Sequence, residues 1–255
     1  MLPIKSITYA NCLIVSFFFL PVLIFWLDSP ALMQGVEAQP LANICLLVYF
    51  LAMLFGLTPR QRLTALVFVP FAFLGESLFS HGFELYSYRL GNVPLYISFG
   101  HGVVFSVGVL IAESGIVREC ERWLKPVLMG LLWVVMVGAI AIFHDTLSLI
   151  FALVFLWVLR RKGYQTFYFV MAFLALYVEL LGTSWGCWTW FAHPVENWSW
   201  LQTTNPPVGT FVCYVLADIA VVKITRQLEC ILLKGPLVQA IENVQSAIRP
   251  SLPNV

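Results

Sequence analysis

The chain has 255 residues, of which 60% are hydrophobic and 11% are charged, and its mean hydropathy is +0.88. This balance excludes an ordinary soluble globular domain and predicts an integral membrane protein. The formal net charge of +1 gives no reason to expect a nucleic-acid partner. The six cysteines lack the spacing of a metal site or a small disulfide framework, and we expect no metal and no cofactor.

Eight apolar runs follow one another along the chain. Most have about the 20 residues that a ~30 Å hydrocarbon core requires of a helix. We therefore predict an all-α, polytopic membrane helix bundle with about eight transmembrane helices. The fifth and sixth runs are separated only by His144 and Asp145, which indicates a hairpin of short helices. The runs lie at 9–27, 41–58, 63–80, 93–112, 126–143, 146–159, 166–185 and 207–222.

The distribution of lysine and arginine predicts the orientation of this bundle. With eight spans and the N-terminus inside, 13 of the 14 basic residues fall on the cytoplasmic side, and only Arg89 lies outside. Both termini are thus expected in the cytoplasm. The protein is expected to be integral to a membrane of the bacterial inner or plasma type. Residues 113–125 are expected to form a charged connector at the inner face.

The membrane region is predicted to be a single domain, residues 1–225, followed by a cytoplasmic tail, residues 226–255. A short amphipathic helix is expected in this tail, either at the membrane surface or against a partner protein. Its apolar face would comprise Leu237, Ile241, Val244 and Ile248.

Two stretches, after the third and the seventh runs, share a plan. Each has a glutamate near the outer end of a helix, then Ser-aromatic-Gly, two alternating aromatic residues, an asparagine and a proline. The pattern predicts a 4+4 internal repeat, with halves 1–112 and 126–225 related by an axis along the membrane normal. The counterparts are Glu76 and Glu179, Tyr86 and Trp188, Tyr88 and Trp190, Asn92 and Asn205, and His101 and Tyr214.

Ionisable side chains in hydrocarbon must be paired or neutral, so the two glutamates require an explanation. At 1.5 Å of rise per residue, Glu76 and Glu179 should both lie roughly 20–25 Å from the inner surface, and His101 about 10 Å below the outer one. We therefore predict a polar, aromatic-rich cavity that opens outward, with these three as catalytic residues. Candidate substrate-binding residues are Tyr86, Tyr88, Arg89, Trp185, Trp188, Asn92, Asn205 and Asp218, the last of them near mid-bilayer.

Simpler interpretations exist for the same residues. Tryptophan and tyrosine gather at membrane interfaces, so many of these rings could form an aromatic belt. Glu76 and Glu179 could instead make a structural hydrogen bond between helices. The chain has no set of histidine boxes, no paired aspartate-rich motif and no HExxH. The remaining groups suit acid–base chemistry on an apolar substrate or the passage of protons.

The stretch from Glu76 to Pro94, ESLFSHGFELYSYRLGNVP, resembles the signature of the integral-membrane carotenoid hydratases, the carotenoid-biosynthesis protein family. In that family a helical glutamate precedes a Gly-rich Tyr-x-Tyr segment, and a Val-Pro then begins the next helix. The resemblance implies that Glu76, Tyr86 and Tyr88 line a site for a terminal isoprenoid double bond.

Three functions remain open at this stage. The first is a metal-independent hydratase or lyase acting on an isoprenoid or other lipid, in which a protonated glutamate is the general acid. In that reaction the second carboxylate or His101 would activate the water that adds. The second is a proton-coupled transporter of a small solute or lipid. The third is a structural or assembly subunit, whose aromatic loops or C-terminal helix would contact a protein partner or another copy. The expected ligand is a membrane lipid or an apolar small molecule.

Overall fold

The computed structural model describes residues 4–32, 37–163, 165–195 and 198–234. Within these ranges the chain forms nine α-helices and one two-stranded ribbon, so the predicted helical membrane fold is confirmed at this level. The helices are α1 (Ile4–Phe17), α2 (Leu20–Leu27), α3 (Gln39–Gly56), α4 (Pro59–Ser77), α5 (Leu95–Glu113), α6 (Gly115–Phe143), α7 (Thr146–Lys162), α8 (Thr166–Ser184) and α9 (Phe211–Lys234), and the strands are β1 (Tyr86–Tyr88) and β2 (Trp188–Trp190).

Seven helical segments are long and apolar enough to cross a membrane, where eight crossings were predicted. The sixth apolar run is α7, which has 17 residues and ends in Arg160, Arg161 and Lys162. Its length of about 26 Å is slightly short of a ~30 Å hydrocarbon core. The eighth crossing and the orientation of the bundle therefore stay predictions. The seven segments are Thr8–Leu27, Gln39–Gly56, Pro59–Gly82, Leu95–Glu113, Gly115–Phe143, Thr166–Ser184 and Val208–Ile231.

The first of these segments is bent, because α1 and α2 are separate helices. Pro21 lies in the first turn of α2, where a missing backbone N–H is tolerated. The carbonyl oxygen of Phe18, at the break, accepts a hydrogen bond from the hydroxyl of Tyr177 in α8. A carbonyl group at the break is therefore satisfied by a side chain, and α2 packs against α3 and α8.

Helix α6 is one long helix, where a charged connector followed by a short helix was predicted. It runs for 29 residues and includes residues 115–125, which were expected to form a charged connector. The hydroxyl of Ser114 caps its start by accepting from the N–H of Val117, and Pro126 lies inside the helix without ending it. His144 in the left-handed region ends α6, and Asp145 caps α7 by accepting from the N–H of Ser148 at 2.8 Å. The predicted turn at His144 and Asp145 is therefore present.

Helices α5 and α8 are the most buried of the spans and lie at the centre of the bundle. Gly108 of α5 permits their close approach, because a Cβ there would lie only 2.3 Å from the sulfur of Met171 in α8. Helices α3 and α4 pack on α5, and α9 packs on both α4 and α8.

The two aromatic segments pair as an antiparallel ribbon, which the sequence did not predict. Tyr86 lies opposite Trp190, Ser87 opposite Thr189, and Tyr88 opposite Trp188. Alternate side chains of a strand point to opposite faces, so the four rings share one buried face while the serine and the threonine are exposed.

Helix α9 continues past the predicted domain boundary at residue 225 and reaches Lys234. The amphipathic helix predicted for the tail lies outside the described residues.

Candidate functional site

A cavity of about 460 Å³ lies inside the bundle beneath the aromatic ribbon. Helices α2, α4, α5, α8 and α9 form its walls, and most of its lining is apolar. Its volume falls within the range of roughly 300–1,000 Å³ that is typical of ligand sites. The polar and aromatic residues at the ribbon end include Glu76, His101, Glu179, Tyr86, Tyr88, Trp188, Trp190 and Tyr214.

Glu76 lies in the last turn of α4 and is fully engaged in hydrogen bonds. Its Oε1 atom is 2.7 Å from Nε2 of His101 in α5. Its Oε2 atom accepts from the hydroxyl of Tyr88 at 2.5 Å and from the hydroxyl of Tyr86. A helix end, a neighbouring helix and the ribbon thus converge on one carboxyl group.

The two tyrosines act as donors to this carboxyl group. Burial raises the pKa of both Tyr86 and Tyr88, and the negative charge of Glu76 raises it further. The phenols therefore keep their protons at neutral pH. With the His101 proton on Nε2, Oε1 also serves as an acceptor, and the arrangement is then that of an ionised carboxylate.

His101 of α5 contacts both Glu76 of α4 and Tyr214 of α9. Its ring stacks on that of Tyr214 in α9, with centroids 4.6 Å apart and an interplanar angle of 24°. With Glu76 as the acceptor, Nε2 carries a proton and Nδ1 of a neutral ring has a free lone pair. His101 can therefore hold or pass a proton at the edge of the cavity.

Glu179 of α8 has a different environment, although it lines the same cavity. Its Oε2 atom accepts from the indole N–H groups of Trp188 at 3.0 Å and Trp190 at 3.2 Å. Within the described part of the chain, no hydrogen-bond partner of its Oε1 atom is found. Only 7% of the residue is exposed. One oxygen is thus held by the ribbon, and the other is left for a proton or a ligand.

The structure brings together six of the eleven residues predicted for the site. Glu76 and Glu179 are each hydrogen-bonded to ribbon residues rather than to one another, which argues against a direct clamp between the helices. The six residues in the cavity are Glu76, Glu179, His101, Tyr86, Tyr88 and Trp188.

Arg89 lies outside the cavity lining and connects the ribbon to the end of α2 through an ion pair with Asp28. Its guanidinium is 2.5 Å from Oδ1 of Asp28 and 2.8 Å from Oε1 of Glu37. The Tyr96 hydroxyl donates to the other oxygen of Asp28 at 2.6 Å, and Asp28 has no exposed surface. Burial opposes the charge of Arg89, but the hydrogen bonds to Glu37 and Asp28 raise its pKa. The arginine predicted to bind a ligand therefore has a positioning role in this structure.

Three other predicted residues also contact protein rather than the cavity. Asn92 donates to the side-chain oxygen of Gln39 at 3.2 Å, and Asn205 accepts from the backbone N–H of Trp190 at 3.1 Å. Trp185 packs against the hydrophobic core but does not line the cavity. These residues hold the loops on either side of the ribbon.

Asp218 lies in a second cavity of about 1,060 Å³, formed by α5, α8 and α9 nearer their opposite ends. Lys162, Lys223 and Arg226 line the same space. The stacked rings of Phe68 and Phe105, with centroids 4.7 Å apart, lie between the two cavities, since Phe68 lines the first and Phe105 the second. Asp218 therefore does not join the two glutamates.

The sequence reasoning did not select Asp28, Trp190 or Tyr214 as site residues. Asp28 could have been predicted as the partner of Arg89. It follows the first apolar run on the predicted outer side, where Arg89 was the only basic residue. Trp190 and Tyr214 were recognised only as repeat counterparts of Tyr88 and His101.

Comparison of the chain with protein-family models, with characterised proteins and with solved structures found no match.

Proposed function

We propose that the protein is a membrane-embedded acid–base enzyme of the hydratase or lyase type, acting on an isoprenoid or similarly apolar lipid. The observation that carries this proposal is the contrast between two glutamates in one cavity. Both oxygens of Glu76 have hydrogen-bond partners, whereas Glu179 accepts on one oxygen only. Pairs of carboxyl groups in contrasting environments are how enzymes obtain an acid and a base at the same pH.

Glu179 is the general acid in this mechanism. An isolated carboxylate is costly in apolar surroundings, so the group is retained as the neutral acid, with its proton on Oε1. The π electrons of the substrate double bond take this proton, which forms a C–H bond and leaves a tertiary carbocation. The carboxylate that remains on Glu179 is stabilised by the two indole N–H groups already in place.

The ribbon rings stabilise the cation that forms. Tyr86, Tyr88, Trp188 and Trp190 present their rings to the same end of the cavity as the two acids. Each ring face close to a cation contributes about 0.5–2 kcal/mol. The carbocation is therefore stabilised at the point where Glu179 creates it.

The Glu76–His101 pair is the general base. A water molecule adds its oxygen to the carbocation and loses a proton to this pair, which gives a tertiary alcohol. Transfer of that proton back to Glu179 restores the starting state. The overall reaction is the addition of one water molecule to one double bond, and the reverse direction is a dehydration.

The resemblance of residues 76–94 to the carotenoid hydratase signature supports the same substrate class. Its three motif residues, Glu76, Tyr86 and Tyr88, are hydrogen-bonded to one another in the cavity. The motif therefore corresponds to one compact chemical group.

The test supplies an acyclic polyprenoid with a terminal trisubstituted double bond to membranes containing the protein, in water enriched in ¹⁸O. The expected product has gained one labelled water. Glu179→Gln and Glu76→Gln should each reduce turnover by about 10²-fold or more, the usual contribution of general acid–base catalysis. Glu119→Gln, on the exposed part of α6, is the matched control and should remain active. Full activity in both cavity variants rules the mechanism out.

A 4+4 internal repeat forms part of the proposal. Each half would contribute one strand to the ribbon and one glutamate to the cavity, and the counterparts His101 and Tyr214 stack on one another. Sites between duplicated halves are common in membrane proteins.

Proton-coupled transport is the second candidate, favoured by the two cavities on either side of the Phe68–Phe105 stack. Opening of this stack would join the space around Glu76 to the space around Asp218. Proteoliposomes distinguish the two functions. A transporter moves protons or solute across the bilayer and loses this coupling in Phe68→Ala, whereas an enzyme changes the mass of its lipid without any flux.

A further inference from the structure

The cavity has a polar end and an apolar end. Glu76 and Phe68 both line it from α4 and are eight residues apart, which places them about 12 Å apart along the helix axis. Val104 and Ala220 line the apolar end from α5 and α9, and the Phe68–Phe105 stack closes it. The shape is that of a blind, apolar slot with acid groups at one end.

The aromatic ribbon covers the polar end. The backbone N–H of Arg89 donates to the carbonyl of Cys187 at 2.9 Å, and the thiol of Cys187 donates to the carbonyl of Phe25 at 3.4 Å. The ion pair between Arg89 and Asp28 fixes the same region. A ligand that came from the aqueous side would have to break these contacts.

The seam between α4 and α9 offers a different route. Phe71, Gly75 and Leu78 are spaced by four and three residues and therefore form one stripe on the α4 side of the cavity. Leu78 is 50% exposed and Leu216 of α9 is 39% exposed, although both line the cavity. Side chains that reach both the cavity and the outer surface mark an opening.

Small residues keep this seam wide. A Cβ added at Gly75 would meet no atom within 4 Å. On the facing helix, Ala217 and Ala220 line the cavity with single methyl groups. Space for a ligand chain therefore remains between the two helices.

The charges of the cavity indicate the class of ligand. Among the described residues that line it, none is a lysine or an arginine, and its ionisable groups include the two glutamates and His101. A phosphate or diphosphate head group would meet carboxyl groups without a counter-charge, which is strongly unfavourable in a low dielectric. A neutral hydrocarbon chain has no such cost.

We propose that the α4–α9 seam is a lateral portal, through which a neutral, chain-shaped lipid passes from the bilayer until one chain end lies beside Glu76 and Glu179. The portal excludes lipids that carry a phosphate group at that end. This inference rests on the proposed function for the reaction that follows, but binding through the portal can be measured without turnover.

The test uses a neutral acyclic polyprenyl hydrocarbon with a diazirine near the end opposite its terminal isopropylidene group, in proteoliposomes, followed by photolysis and peptide mapping. The wild-type protein should be labelled at the apolar end of the cavity, around Val104 and Ala220. Gly75→Phe fills the seam and should lower this labelling by about tenfold, equivalent to a loss of ~1.4 kcal/mol of binding free energy. Gly138→Phe is the matched control, because Gly138 of α6 also has nothing within 4 Å of an added Cβ and lines neither cavity.

A second probe with a diphosphate in place of the terminal isopropylidene group should label the cavity about tenfold less than the neutral probe. Equal labelling of Val104 and Ala220 in Gly75→Phe and the wild type overturns the portal, as does equal labelling by the two probes. Gly75→Leu replaces Gly75→Phe if the larger residue prevents folding. Labelling of the wild type without turnover supports the portal and rules out the proposed hydratase reaction. Turnover together with unchanged labelling in Gly75→Phe supports the reaction and rules out the portal.

Discussion

Gly182→Ala should disturb the environment of Glu179 without touching its carboxyl group. A Cβ at Gly182 would lie 1.8 Å from one ring carbon of Trp188 and 2.2–2.3 Å from two others. Carbon atoms in contact are normally about 3.5–4.0 Å apart, so the indole must withdraw by roughly 1.7–2.2 Å. Trp188 is buried and packs edge-on against Phe25, with centroids 5.2 Å apart, so little free space is available.

The expected loss of stability is about 1–6 kcal/mol, from three contributions. Overpacking of a core by extra carbon atoms typically costs ~1–3 kcal/mol. The withdrawal also breaks the 3.0 Å hydrogen bond from the Trp188 indole to Glu179, and a buried polar group left unpaired costs about 1–3 kcal/mol. The higher helix propensity of alanine offsets up to ~1 kcal/mol of this sum.

The assay is unfolding by SDS in mixed micelles, followed by tryptophan fluorescence. Gly138→Ala is the control, because its added Cβ meets nothing within 4 Å, and it should be neutral or slightly stabilising. In a Trp188→Phe background the added methyl meets a smaller ring, so Gly182→Ala should cost less there than in the wild type. Equal stability of Gly182→Ala and Gly138→Ala would refute the proposed packing of the ribbon against α8.

Three further outcomes are expected for the contacts that hold the ribbon. Burial raises the pKa of the Cys187 thiol to about 12. In native protein at pH 8, maleimide should therefore leave Cys187 unmodified while it reacts with the exposed Cys120. Equal modification of the two cysteines, measured by mass spectrometry, contradicts this. Asp28→Ala should destabilise the protein by about 3–5 kcal/mol in the SDS assay, because it removes one partner of a buried ion pair, and a loss below ~1 kcal/mol contradicts the clamp. A hydrogen bond from Arg89 lowers the pKa of Glu37, so its contribution to stability is present above the unfolded pKa of about 4.3 and is lost as the pH falls through the lower folded value. Glu37→Gln should flatten the pH dependence of unfolding in that acidic window, and an unchanged slope speaks against the pair.

Relative levels along the helices could be predicted from the sequence, because they depend only on the helical rise and on where the apolar runs begin. The equal levels assigned to Glu76 and Glu179 correspond to one shared cavity in the structure. Rotation about a helix axis could not be predicted in the same way, since it depends on packing against neighbouring helices. Asp218 was predicted to bind the same ligand from a level near mid-bilayer, but it lines the second cavity.

Long-range pairing was the other limit. The strands Tyr86–Tyr88 and Trp188–Trp190 have three residues each, too few to show an alternating pattern, and they meet across about a hundred residues of sequence. The ion pair between Arg89 and Asp28 likewise joins residues 61 positions apart. The predicted length of α6 was wrong because Pro126 was taken as the start of the helix. The residues before Pro126 are also helical.

The central claim is that Glu179 is the neutral acid and Glu76 the carboxylate of one cavity, and infrared spectroscopy of the carboxylic C=O stretch tests it most directly. Difference spectra at neutral pH between the wild type and each glutamine variant isolate the contribution of each residue. Glu179→Gln should remove a protonated-carboxyl band, and Glu76→Gln should leave this band in place. Loss of the band in Glu76→Gln alone, or its survival in Glu179→Gln, contradicts this assignment of the proton.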